Sequence, residues 1–378
     1  MLEVTGPALV VTLVLIGCTA PPEPAGQAPP RSGVIRLAGE PKPFRAPHVA
    51  GDRLYGLTPG ERGERLENGI NAVFIAVLSP AAVPDPSAGS RVAYNAWEGQ
   101  GPVVRLIDTG TGEDRVLDRG AYSVAWRSDG TLAYFKGQAK IDLEEGERPI
   151  GHVVVRGSPD ERAVPWTEQA GQYVVAAWAG DRLLVYRIGN GRWPDILALD
   201  GPGRGQLLAR ESALVAVSPD GDSAFLSAYG ETPPSVQVVD IQEGRRTARF
   251  SFDDSAPAEA RGTQWIVESG SWVGDLVVAK ASQGLIVFRV GSGTIEVDQV
   301  LRLDGVFPLG LFEPRLDPSG RQIVAWAQLE GLPRQPLPDT ALVQCDRLTL
   351  RCVRGEPVSA GLGLRLVYNP SRPERPAA

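Results

Sequence analysis

The chain has 378 residues, with Lys+Arg 38 against Asp+Glu 45 and a formal net charge of -7 at pH 7. That balance argues against nucleic acid as a partner, because such binding wants a basic face. With Gly 44 and Pro 33 and few runs of strong helix formers, the composition predicts short strands joined by turns.

In chain order, the first feature is the apolar run from Ala8 to Ile16. It is shorter than the roughly 20 residues of a membrane-spanning helix and has the length of a signal-peptide core. It ends in Leu15-Ile16-Gly17-Cys18, which resembles the lipobox of bacterial lipoproteins. The resemblance implies that residues 1–17 are a signal peptide cut before Cys18, and that Cys18 is lipidated, with palmitate among its acyl chains. One feature departs from the pattern: Met1 to Pro7 contains Glu3 and no Lys or Arg. Residues 18–32 are rich in proline and poor in apolar side chains, so a lipidated, extended tether is expected there. Several acyl chains, at about 0.8 kcal/mol per buried CH₂, would make such an anchor effectively permanent.

From residue 33 one theme recurs: an apolar strand, a Gly/Asp/Ser turn, a second apolar strand, then a loop and further strands. The clearest copy runs from Ala213 through Ser218-Pro219-Asp220-Gly221 and on to Val238-Val239-Asp240-Ile241 and Gly244. Asp-Gly and Ser-Gly tolerate the positive φ that tight hairpins need. Candidate turns fall at Gly51, Gly89, Gly130, Gly180, Gly221, Gly274 and Gly320, at spacings near the 40–50 residues of known propeller blades. The expected fold is all-β, a β-propeller of about seven four-stranded blades over residues 33–368. Residues 33–37 and 364–368 are expected to pair and close the ring, and residues 369–378 are expected to be a disordered tail. The Ser218 copy is similar to the WD40-like repeat of the periplasmic Tol-system propellers. The Gly-His and Trp-Asp marks of true WD40 repeats are absent. The likeness implies a fold and leaves the function open.

Of the three cysteines, Cys345 and Cys352 remain once Cys18 is assigned to lipid. They lie on two short strands around a turn, where an antiparallel pairing can set them opposite each other, so a disulfide and an oxidising compartment are expected.

Candidates for chemistry are sparse. The two histidines, His48 and His152, have no Cys, Asp or Glu at metal-ligand spacing, so no metal site is expected. No Gly-x-Ser-x-Gly elbow opens a helix, and Gly291-Ser292-Gly293 reads as a turn. Asp142, Glu144, Glu145 and Glu147 form an acidic cluster that lacks the spacing of a calcium loop and reads as a solvated loop. Trp97, Trp126, Trp178 and Trp326, with Tyr134, Tyr186 and Phe225, recur at equivalent places. They are expected to pack between blades, the alternative being a ligand-binding rim.

The reading is a membrane-anchored, extracytoplasmic, monomeric propeller that serves as a non-catalytic scaffold for an envelope protein or polymer, without cofactor. The alternative is a propeller enzyme of glycan or lactone hydrolase or lyase type, with carboxylates in the channel.

Overall fold

The computed structural model describes residues 32–36, 82–84, 91–98, 101–108, 111, 113–138, 149–189, 193–203, 205–253, 267–281, 284–304, 306–329, 334–335, 337–338 and 340–354. No helix occurs among them. A single strand, β1 (Ser32–Arg36), comes first. Six four-stranded antiparallel meanders follow, each with its strands in chain order.

The first comprises β2 (Ala82–Pro84), β3 (Arg91–Glu98), β4 (Gly101–Asp108) and β5 (Asp114–Arg119). The second comprises β6 (Ala121–Trp126), β7 (Leu132–Lys136), β8 (His152–Arg156) and β9 (Val164–Pro165). In the third are β10 (Gln172–Ala179), β11 (Arg182–Ile188), β12 (Asp195–Leu199) and β13 (Gln206–Ala209). In the fourth are β14 (Ser212–Val217), β15 (Ser223–Ala228), β16 (Ser235–Asp240) and β17 (Arg245–Ser251). The fifth is β18 (Glu268–Val273), β19 (Leu276–Ala281), β20 (Gly284–Val290) and β21 (Ile295–Asp304). The sixth begins with β22 (Val306–Leu316) and β23 (Gln322–Leu329). A two-stranded ribbon, β24 (Arg334–Gln335) and β25 (Leu337–Pro338), precedes its last strands, β26 (Thr340–Asp346) and β27 (Arg351–Arg354).

First strands neighbour one another in succession: β6 lies beside β10, β10 beside β14, β14 beside β18 and β18 beside β22. This is the layout of propeller blades. Of the expected seven sheets, six are described, and the turns expected at Gly51 and Gly89 lie outside the described residues. The expected closing pair differs in one partner. Ser32–Arg36 runs parallel to β21 as a fifth strand of the fifth sheet, and residues 364–368 lie outside the described residues.

Because the second to fifth sheets each lie between two neighbours, their inner strands are buried on both faces. Every residue of β6 and of β19 is buried. Exposure returns on outer strands, as in β9 and β17, and in β17 it comes with polar residues. Of the aromatics expected to pack between blades, Tyr134 and Phe225 are fully buried, and Trp126 and Tyr186 are buried. Phe225 meets Phe288 of the next sheet at 5.2 Å. Half-buried Trp178 lies edge-on to Trp166 at 5.5 Å, beneath the Arg127 guanidinium.

The first hairpin of each sheet from the second to the sixth turns at an expected glycine with positive φ: Gly130, Gly180, Gly221, Gly274 and Gly320. In the Ser218 copy, Ser218 N–H bonds to Ser223 O and Gly221 N–H to Ser218 O, while Asp220 accepts from Ser218 Oγ and Asp222 N–H. Asp317 repeats the scheme, accepting from the N–H groups of Arg321 and Gln322.

The ladders break in a regular way. In each of these five sheets the first strand carries a bulge against the second. Outer strands β5, β13, β17 and β21 carry one against the third. The pairing of second with third strands is unbroken throughout. Bulges at the inner and outer margins add twist where a blade must curve, and they re-aim the side chain left unpaired.

Candidate functional site

The seams between the described sheets take up several charged and hydroxyl groups that a reading for chemistry would inspect. Between the first and second sheets, Asp118 on β5 accepts from Lys136 Nζ at 2.7 Å and from Tyr134 Oη at 2.9 Å. Arg156 donates to Tyr134 Oη at 2.7 Å and reaches Asp118 at 3.3 Å. Burial pushes the Asp118 carboxyl up. The hydrogen bonds from Lys136 and Tyr134, with the charges of Lys136 and Arg156, outweigh it and hold the group below its ordinary value. Tyr134 itself is pushed well above the ordinary tyrosine range by burial.

Between the second and third sheets, Ser123 stands at the bulge of β6 with φ 65 and donates to Val175 O at 2.9 Å. Trp178 Nε1 donates to Ala125 O, and Arg127 pairs with both Asp129 and Asp181. Tyr186 Oη links the third sheet to Leu214 of the fourth. At the last seam Leu316 N–H donates to Ser271 Oγ.

The Cys345–Cys352 disulfide is present, its residues paired across β26 and β27 with Cα atoms 4.1 Å apart. Cys345 belongs to the core shared by the fifth and sixth sheets. The hairpin tip it closes has the same construction as the β16–β17 tip. Asp346 accepts from Thr349 N–H as Asp240 accepts from Glu243 N–H. The left-handed position is Gly244 in one and Leu350 in the other. Leu350 tolerates φ 56 there because its side chain packs on that shared core.

Other residues singled out in the sequence fall as follows. His152 Nδ1 lies 3.0 Å from Thr167 O, a contact that ties β8 to the segment just after β9. Among the described residues, no three His, Cys, Asp or Glu side chains are grouped to hold a metal ion. Cys18, His48 and the acidic cluster Asp142, Glu144, Glu145 and Glu147 lie outside the described residues, as do the side chains of Trp97 and Trp326.

One surface that sequence reading missed gathers at the loop end of the third and fourth sheets, opposite the Gly180 and Gly221 turns. Arg187 and Asp195 are register partners, and Arg187 Nη2 donates to Asp195 Oδ2 at 2.8 Å. The other Asp195 oxygen accepts from Glu211 N–H, and Ser212 N–H bonds to Pro194 O. The start of β14 is thereby seated beside the start of β12. Glu211 adopts φ 44, its carbonyl accepting from the N–H groups of Tyr229 and Gly230. Trp193 meets Tyr229 at 4.2 Å between ring centroids, inclined by 37°. Glu231, on the same loop as Tyr229, holds Arg246 and Arg249. Burial raises the Glu231 carboxyl, while hydrogen bonds from Ser235 and Arg249 and the two arginine charges bring it below its ordinary value. A bulky left-handed residue is uncommon and marks an over-determined site. No motif announces it, since the partners come from five separate segments.

No protein-family model and no curated protein matches the chain. Among solved structures, a TolB protein of Agrobacterium tumefaciens is similar over 72% of this chain and 94% of its own, at 15% identity and TM-score 0.46. Regucalcin of the same organism, a calcium-binding protein, is similar over 80% of this chain and 90% of its own, at 12% identity and TM-score 0.44. An oligogalacturonate lyase in complex with manganese is similar over 69% and 75%, at 15% identity and TM-score 0.47.

Proposed function

We propose that the chain is a lipid-anchored, extracytoplasmic binding scaffold whose contact surface is the loop end of the third and fourth sheets. The observation that carries this is the Trp193–Tyr229 pair, half-buried and bordered by Glu211 and by Asp195 and Glu231 with their arginine partners. Flat aromatic faces edged by paired charges suit an envelope protein or polymer, because they offer contact area together with directional hydrogen bonds. The strained backbone at Glu211 supports the same reading, since such positions often lie at binding sites. The extracytoplasmic part of the proposal rests on the Leu15-Ile16-Gly17-Cys18 run, and the Cys345–Cys352 bridge supports it through its preference for oxidising compartments.

The test is site-specific photocrosslinking in cells, with the photoreactive residue at exposed Thr232 beside the aromatic pair, and at exposed Ser319 on the opposite end as control. One dominant adduct from Thr232 and none from Ser319 is the expected result. Equal adducts from both positions, or none from either, would remove this surface as the site. Carbohydrate in the adduct would identify the partner as a polymer.

A further inference from the structure

Among the described residues, the fifth sheet alone has a fifth strand, and that strand lies more than 200 residues before the sheet's own strands. Ser32–Arg36 pairs with β21 over five consecutive residues, from Ser32↔Val300 to Arg36↔Asp304, without a register shift. The pairing is parallel, whereas every other ladder in the six sheets is antiparallel. β1 is therefore not a repeat element of any blade.

β21 is built to receive it. At 10 residues it is longer than the other fourth strands, which have 6, 2, 4, 7 and 4. Its pairing with β20 ends at Leu301, so Arg302, Leu303 and Asp304 find their ladder partners on β1. An outer strand presents a row of unpaired N–H and C=O groups, which is the template for strand addition.

We infer that the outer edge of β21 is a docking site for an extended peptide, and that its occupant is the chain's own N-terminal arm, Ser32–Arg36. The arm binds through backbone hydrogen bonds and comes away as a unit, because no other strand of the fifth sheet depends on it for its place in the meander. Docking fixes where the tether leaves the body. If the anchored reading above holds, the 13 residues Thr19–Arg31 allow at most about 45 Å between the body and an acyl group on Cys18.

The experiment is hydrogen exchange with mass spectrometry on the soluble Cys18→Ser chain, so its outcome does not depend on lipidation. Three proteins are compared: this chain, the same chain lacking residues 32–36, and the Ile35→Pro variant, which removes one backbone donor from the arm. The protected amides among residues 302–304, whose ladder partners all lie on β1, should exchange at least tenfold faster in both altered chains, with β14–β17 unchanged as the internal control for folding. A synthetic peptide spanning residues 30–38, added to the deleted chain, should restore protection, and the same peptide carrying proline at the Ile35 position should not. Equal protection in all three proteins would overturn the docked arm. Lost protection that the peptide fails to restore at millimolar concentration would overturn the docking site.

Discussion

Asp298 and Arg347 form an ion pair at 3.0 Å across the seam between the fifth and sixth sheets. The pair depends on two irregularities. Asp298 is the residue left over at the β21 bulge, between Val297 and Gln299 in the register with β20, and Arg347 sits in the β26–β27 turn. The Arg347 guanidinium also donates to Gly320 O in the first turn of the sixth sheet, and its carbonyl accepts from Gln299 Nε2 at 2.7 Å. One buried arginine therefore joins three turns and strands.

Removing it should be costly, because half-buried Asp298 loses one of its two arginine partners and Gly320 O loses its donor. Asp298 keeps Arg289 at 2.9 Å, which tempers the loss, so Arg347→Ala is expected to destabilise by about 3 kcal/mol, at the lower end for a broken buried pair. Arg249→Ala, at a half-exposed pair with Glu231, should cost under about 1 kcal/mol. Thermal or urea unfolding of the two variants checks the ranking. Equal losses would mean that burial of the Arg347 site does not govern its energetics.

Acid should weaken the seam between the first and second sheets. Asp118 is held below its ordinary value of 3.8 in the folded protein. The unfolded chain therefore takes up the proton first as pH falls, and folded stability declines with it. The contribution is fully present above the unfolded value, is lost as pH falls through the folded one, and is absent below both. Asp118→Asn should thus be less stable than the parent at pH 7, and the gap should narrow from about pH 5 downward. Unfolding midpoints measured from pH 7 to pH 3 decide it. A gap that stays constant would show that charge at Asp118 contributes nothing.

The Cys345–Cys352 bridge closes a short loop, so its constraint on the unfolded chain is modest, about 2–3 kcal/mol in the chain-entropy model. Replacing both cysteines by alanine is expected to lower stability by that amount while the sheets remain folded, since the β26–β27 tip keeps its Asp346 hydrogen bonds. Peptide mapping without reduction should recover the two cysteines linked. Free thiols at both positions would contradict the bridge, and a double variant as stable as the parent would contradict its energetic role.

What the sequence made legible was local. Asp-Gly and Ser-Gly marked Gly130, Gly221 and Gly320 as hairpin turns because only a few residues accept positive φ. The apolar runs around them read as paired strands. Cys345 and Cys352 were legible for the same reason, being seven residues apart around one turn. The bulges were not. Their unpaired residues on the outer strands, Leu117, Leu208, Thr247 and Asp298, share no chemical type. The Trp193–Tyr229 surface was equally hidden, because it forms only once β12 and β14 stand side by side. The pairing of β1 with β21 joins segments as far apart in sequence as Ser32 and Val300, and no local pattern encodes such a distance.

Two turn glycines that look alike in the sequence should respond differently to substitution. Gly180 has φ 56 and open space around the position of an added Cβ. Gly180→Ala therefore bears only the left-handed backbone penalty, about 1–2 kcal/mol. Gly221 has φ 81, and an added Cβ would come within 2.7 Å of Gly180 N and 3.2 Å of the Ala179 carbonyl carbon. Those atoms are backbone in the neighbouring sheet's own turn, so they cannot swing aside as a side chain would. Gly221→Ala must push the two turns apart, and its cost should exceed that of Gly180→Ala by at least about 1–2 kcal/mol, in the range of overpacking. Unfolding midpoints of the two variants, measured side by side, test this. Equal losses would show that the turns of the third and fourth sheets do not bear on each other, and the close approach of Gly221 to Gly180 would then have to be abandoned.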